Sequence, residues 1–219
     1  MLLLLPGVAS AQAVSHLPEG APVVQASSEA ERTWFATTYA DRKAVGNLWD
    51  IVRHADDVTY DRDYLAGGAI SYVVSRDVRI PIPFTDRVAA PILEIEGQLD
   101  RHFGRGTLGS GHHVQGSADT VEAVVAAVIR TRDFPLFSGI SLNLALGDGP
   151  SYSFPDPRWE FGHRRFNNYL TAQVELTSTA VPWLHLVPQI HHRSGAGGLI
   201  APIADGSNFL GLGLRVDLN

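Results

Sequence analysis

The chain has 219 residues, no cysteine, one methionine and a formal charge of −6. That length suits one sizeable domain. The missing thiols exclude a disulfide scaffold, a thiolate zinc site and a cysteine nucleophile, and a pI near 5.8 leaves no basic footprint for nucleic acid.

Only 18% of residues are charged and mean hydropathy reaches +0.02. Yet no run of about 18 apolar residues follows the first few to make a membrane helix. Such a chain buries its apolar surface in a core or shows it to lipid in small alternating pieces.

Residues 1–13, MLLLLPGVASAQA, join a leucine run to a helix-breaking Pro6-Gly7 and to small residues at Ala11 and Ala13. This is the apolar core and cleavage site of a secretory signal peptide, without the usual basic start. It predicts export, with a mature chain from about Val14, and the lack of cysteine agrees with an oxidising compartment. Residues 14–31 read as an irregular lead-in. Residues 32–219 remain for the folded part.

Eight segments then follow with strand character. The first two are 32–40 (RTWFATTYA) and 63–75 (DYLAGGAISYVVS). In 92–103, Leu93, Ile95, Leu99 and Phe103 share one face, and Glu94, Glu96, Gln98, Asp100 and His102 share the other. Residues 119–131 have a helix-like composition, but their β-branched content and alternating neighbours predict a strand. In 138–147, Ile140, Leu142, Leu144 and Leu146 align. In 166–177, Leu170, Ala172, Val174 and Leu176 oppose Asn167, Tyr169, Thr171, Gln173 and Glu175. In 184–194, Leu184, Leu186, Pro188 and Ile190 oppose His185, Gln189 and His191. In 208–218, Leu210, Leu212, Leu214 and Val216 oppose Gly211, Gly213, Arg215 and Asp217.

The joints at 76–90, 131–137 and 178–183 are short or moderate and contain proline. Those at 41–62, 104–118, 148–165 and 195–206 are mostly longer and rich in Gly, Asp, Ser or His. Short and long joints alternate. The pattern predicts an all-β fold, an eight-stranded antiparallel up-and-down transmembrane β-barrel.

Three features place the apolar face outside, toward lipid. The opposite face carries glycines and amides, Lys43 is the sole lysine, and Trp34 and Trp183 fall near strand ends. Glu94, Glu96, Asp100 and Glu175 with Arg101 and Arg215 would then fill the lumen. A soluble periplasmic barrel holding a small apolar ligand is the opposite solution, with its leucines pointing inward.

The chemistry-bearing stretch is Gln189 to Asn208, QIHHRSGAGGLIAPIADGSN. On a strand, His192 and Ser194 point the same way with Cα atoms roughly 6.5–7 Å apart. An imidazole spans that gap to a serine hydroxyl, the relation a base needs to activate a nucleophile. Both continue the face of Leu184, Leu186 and Ile190, so the pair faces lipid near the barrel rim.

The segment HHRSGAGGLIAPIADGSNFLGLGLRVDL resembles the C-terminal signature of the lipid A 3-O-deacylase (PagL-type, acyloxyacyl hydrolase) family of Gram-negative outer-membrane barrels, in a branch with an HHRSG motif. DYLAGGAISYVVSRD, LEIEGQLDRHFG, SGISLNLALGDGPSY and NNYLTAQVELT agree with it. The resemblance implies Ser194 as nucleophile, His192 as general base, and hydrolysis of the 3-O-linked acyl chain of lipid A. Backbone amides of Gly195, Gly197 and Gly198 would face the oxyanion.

The family places a glutamate about a dozen residues past the serine, and this chain instead reads Asp205-Gly206-Ser207-Asn208. Asp205 has the charge to orient His192 but the opposite parity. Asn208 has the parity without the charge. The family also favours asparagine after the serine, where this chain has Gly195.

Among other polar clusters, His112-His113 lacks a third metal ligand at suitable spacing and reads as a solvated loop. Arg164 and Arg165, with Arg158 beside Trp159 and Phe161, either meet lipid phosphates or form plain loop surface. No metal and no cofactor is expected. The expected partners are lipid A or lipopolysaccharide and outer-membrane lipids, with no nucleic acid, for a monomer or homodimer. The alternative from another class is a non-enzymatic outer-membrane barrel with a structural or adhesive role.

Overall fold

A computed structural model describes residues 32–218, except 87, 105–106, 109–111, 114–118, 158–159, 161–163, 197–198 and 201–205. The predicted leader and lead-in lie outside the described residues.

Eight long strands account for most of the chain. They are β1 (Trp34–Ala44), β2 (Tyr60–Ser75), β3 (Ile92–Gly104), β4 (Thr120–Arg130), β5 (Ile140–Phe154), β6 (Phe166–Ser178), β7 (Val181–Ser194) and β8 (Gly206–Asp217). Each pairs antiparallel with its sequence neighbours, and β8 pairs with β1 to close the ring. Closure satisfies the backbone and leaves no edge open to another chain.

One end carries the shorter connections. It holds a two-residue pairing of Ile80–Pro81 with Val88–Ala89, and Phe134–Phe137 folds back on the start of β5. The opposite end carries the longer loops. One of them begins with a short helix, Leu48–Arg53, capped by Asn47, whose Oδ1 accepts the Asp50 N–H at 2.9 Å.

The direction of the leucines decides which face meets lipid. Leu212 and Leu214 are 51% and 49% exposed, whereas Arg215 is 1% exposed. Ile70, Ile95, Leu99, Val125, Leu144 and Leu146 also point outward, while Glu94, Glu96, Glu122, Arg130 and Arg193 are fully buried. The barrel is polar inside and apolar outside, which overturns the soluble alternative.

Aromatic side chains ring both ends. Trp34 packs against Tyr72 with centroids 4.7 Å apart near the turn end, where Trp183 also lies exposed. At the loop end Tyr64 stacks on Phe103 at 5.8 Å, near exposed Tyr60 and, on other strands, Tyr152, Phe154 and Phe166. On β2, Tyr64 and Tyr72 stand eight residues apart. At about 3.3 Å per residue and a tilt of about 40°, that is a band about 20 Å tall, close to the apolar height of an outer-membrane barrel.

The lumen is filled by paired charges. Near the turn end Arg130 reaches Glu94 at 3.1 Å, Glu175 at 2.8 Å and Gln173 at 3.1 Å, and Arg215 reaches Glu94 at 2.9 Å. Arg101 departs from the expectation. It lies on the outer face with exposed Leu99 and Phe103 and pairs with Asp119 at 2.9 Å. Its parity matches Leu99, not Asp100, and at the rim water replaces lipid as its surroundings.

Candidate active site

The site is assembled on the outer wall at the loop end of β6, β7 and β8. Register places Leu170 and Asn208 beside His192, and Asn168 and Gly206 beside Ser194. His192 and Ser194 are both half-buried on the outward side of β7.

His192 Nδ1 lies 2.7 Å from Asn208 Oδ1. The amide of Asn208 has no freedom to flip, because its Nδ2 donates to the Gly46 carbonyl at 2.8 Å. Oδ1 must therefore be the atom facing the imidazole. Nδ1 then carries the hydrogen and donates it, which leaves Nε2 as the basic nitrogen. A third group that fixes the tautomer is what a nucleophile–base pair requires. Of the two sequence candidates, Asn208 makes the contact, and Asp205 lies outside the described residues.

Gly206 opens β8 directly across from Ser194 with φ +142°, and a Cβ there would stand 2.2 Å from the Arg193 carbonyl. Only glycine allows this approach, which holds β8 close enough for Asn208 to reach His192.

After Ser194 the chain turns sharply. Ala196 takes φ +50°, a conformation that costs a non-glycine residue roughly 1 kcal/mol. The Ile200 N–H donates to the Gly195 carbonyl at 3.0 Å. The turn points the Ala196 N–H at Ser194 Oγ, 3.4 Å away. A backbone donor thus stands beside the Ser194 hydroxyl. Gly197 and Gly198 lie outside the described residues.

Two further polar residues share this wall. Asn168 Nδ2 donates to Asp148 Oδ1 at 2.7 Å, and both face outward. The legible signal was an asparagine at an outward position between Phe166 and Leu170. Sequence reasoning did not weigh Asn168, Asp148 or the Gly46 carbonyl.

Arg165 is exposed, bonded to Asp156 and set over the Phe154 ring at 5.8 Å. Arg164 is exposed as well, and its carbonyl accepts from Arg193 Nη2 at 3.4 Å. The structure places both at the rim just before Phe166, beyond Asn168. His112 and His113 pair with Thr107 and Leu108 in a small two-stranded ribbon.

Just below His192 and Asn208, the wall hollows into an apolar groove of about 610 Å³ between Ile190, Leu210, Ala172, Pro188 and Leu144. Ala172 and Pro188 are smaller than the residues around them. Pro188 also has no N–H to give β6.

No family model and no curated protein matches the chain. Among solved structures, the outer membrane enzyme PagL superposes with a TM-score of 0.52 at 11% identity, over 84% of this chain and 99% of that one. This chain has the fold of an outer-membrane barrel. Neisserial surface protein A (NspA) superposes with a TM-score of 0.46 at 13% identity, over 84% of this chain and 96% of that one. At such identities the likeness concerns the fold alone.

Proposed function

We propose that this chain is an outer-membrane esterase that removes the 3-O-linked acyl chain of lipid A. The observation that carries the reading is the His192–Asn208 bond of 2.7 Å on the lipid-facing wall, beside Ser194 and above an apolar groove.

The steps this reading implies are these. His192 Nε2 takes the proton of Ser194 as Oγ attacks the ester carbonyl. The oxyanion accepts from the Ala196 N–H. Collapse breaks the bond to the sugar oxygen, which leaves as the 3-hydroxyl with the proton returned by His192. Water, with His192 again as base, then cleaves the acyl-serine and releases the fatty acid. The acyl chain lies along Ile190 and Leu210, and the headgroup stands at the rim near Arg164 and Arg165, whose guanidiniums suit phosphate.

The leader predicts export, and the apolar band predicts residence in the outer membrane. Mass spectrometry of lipid A from cells expressing the protein tests the proposal. Loss of one ester-linked acyl chain is expected with the native protein and not with Ser194→Ala. An unchanged lipid A in both leaves a barrel that keeps the motif without turnover.

A further inference from the structure

We propose that His102, Glu122 and His191 form a binding site for a divalent cation, with zinc the best match, inside the barrel. These residues come from β3, β4 and β7 and face one another across the lumen. All three are fully buried, and Glu122 Oε2 stands 2.7 Å from His102 Nε2 and 3.3 Å from His191 Nε2. One ligand atom from each lies within 4.8 Å of the other two.

Two imidazoles and a carboxylate are a set that zinc accepts, with bonds of about 2.0–2.2 Å and a fourth position left open. Tetrahedral bonds of that length separate ligands by about 3.4 Å. The His191–Glu122 separation of 3.3 Å already meets this. The His102–Glu122 separation has to open by roughly 0.7 Å from its 2.7 Å.

The surroundings point the same way. Arg193 Nε forms an ion pair with the other oxygen of Glu122 at 3.0 Å while its hydrogen goes to Ser151 Oγ at 2.9 Å, so Oε2 is the oxygen turned toward the two imidazoles. On the far side of His191, Nδ1 faces Asp100 Oδ2 at 3.9 Å, and that oxygen has no hydrogen-bond partner among the described residues. If neutral His191 donates from Nε2 to Glu122, its Nδ1 has no hydrogen, and two acceptors confront each other in a dry interior. A cation on Nε2 moves the hydrogen to Nδ1, where it faces Asp100. That is the carboxylate–histidine–metal relation seen in metal sites.

Charge agrees. Around this point Asp41, Asp100, Glu122 and Glu160 are buried with Arg193, while Lys43 is matched by Asp63 at 3.4 Å. With Glu160 holding a proton, the other three carboxylates against one guanidinium leave two negative charges, which a low-dielectric interior tolerates poorly. A divalent cation cancels that excess.

The site braces three strands just inside the loop-end rim. His191 immediately precedes His192, on the opposite face of β7, so a bound ion would stiffen the segment that carries His192 and Ser194. The inference stands independently of the esterase reading.

The test is zinc titration of the full chain, purified in detergent and stripped with chelator, read by elemental analysis and calorimetry. One zinc per chain is expected, and cobalt in its place should give the visible absorption of a four-coordinate ion. His102→Gln and His191→Gln should abolish binding, and Asp100→Asn should weaken it about 10- to 100-fold. A His112→Ala/His113→Ala variant should bind as the native chain does. Substoichiometric zinc in the native chain overturns the proposal. So does binding that survives His191→Gln, which marks an adventitious ion only. Folding of each variant is read from heat-modifiable gel mobility. If the histidine variants do not fold, the native stoichiometry and cobalt spectrum decide.

Discussion

Asn208 concentrates the residue-scale question, because it holds His192 without a charge. Its Oδ1 fixes the tautomer but offers nothing extra to the imidazolium that the proposed attack would form. Asn208→Asp should therefore raise kcat, by up to about tenfold, since a charge-assisted bond is roughly twice as strong as a neutral one. The same change sets a carboxylate against the Gly46 carbonyl and should lower the unfolding midpoint. Asn208→Ala should lower kcat with little change in KM. Steady-state deacylation of purified lipid A beside thermal unfolding reads all three effects. A kcat insensitive to both substitutions would remove Asn208 from the mechanism.

Asn168 poses the complementary case of a polar side chain on an apolar wall. Asn168→Leu should raise stability by about 1 kcal/mol, because amide surface is replaced by apolar surface facing lipid. It should also lower turnover, because Asn168 stands across from Ser194. Unfolding in lipid vesicles and the deacylation assay would show the two effects in opposite directions. Loss of both, or of neither, would make Asn168 a plain wall residue.

At the scale of elements, alternation made the eight strands legible, because a two-residue period with one wet and one lipid face writes itself into composition. Strand ends were less legible. The sequence ends its fifth segment at 147, whereas β5 continues to Phe154 through Asp148, Gly149 and Pro150. These are turn residues in water. Here Gly149 admits the Val125 carbonyl, 2.1 Å from where a Cβ would sit, and Pro150 needs no donor where its N–H would have faced β4. The helix Leu48–Arg53 was also missed, although Asn47 and Asp50 make a recognisable cap. Ser194 and His192 could be found because they share a strand. Asn168 and Asp148 enter only through register between strands, and Gly46 only through the course of the connection after β1, which no local pattern encodes.

The lumen network belongs to the same scale. Arg130 is buried with Glu94 and Glu175, joined to Gln173 and to Asn143 at 3.1 Å. Arg130→Met removes the cation and leaves Glu94 and Glu175 to share Arg215 in a dry interior, with His185 beside Glu175. Breaking such a pair costs about 3–5 kcal/mol. Urea unfolding should show a loss of that size, with much of it restored by adding Glu175→Gln, which leaves Glu94 paired with Arg215. A loss below about 1 kcal/mol would mean that the lumen near the turn end is wet.

For the whole molecule, a buried carboxylate helps tie the loop end to the barrel. Glu160, in the connection between β5 and β6, is fully buried. Its Oε2 accepts from Arg193 at 2.8 Å and from Asn167 at 3.2 Å, and its Oε1 contacts Ser207 at 3.1 Å. Burial pushes its pKa up to about 7, Arg193 opposes that rise, and the nearby Glu122 charge adds to it. In the unfolded chain the same group ionises near its ordinary value of 4.5. Between those values the folded state holds a proton that the unfolded state has released. Stability from this group is full below about pH 4.5, falls as pH rises toward 7, and is flat above that. Raising the pH through this window should lower the unfolding midpoint of the native barrel, and Glu160→Gln, neutral throughout, should flatten the slope. Arg193 also donates to the Arg165 carbonyl at 3.1 Å, so part of the loop's attachment survives in the variant. Unfolding midpoints measured from pH 4 to 8 for both proteins decide it. An equal slope in the two would assign the pH dependence to other groups and leave Glu160 charged in its pocket.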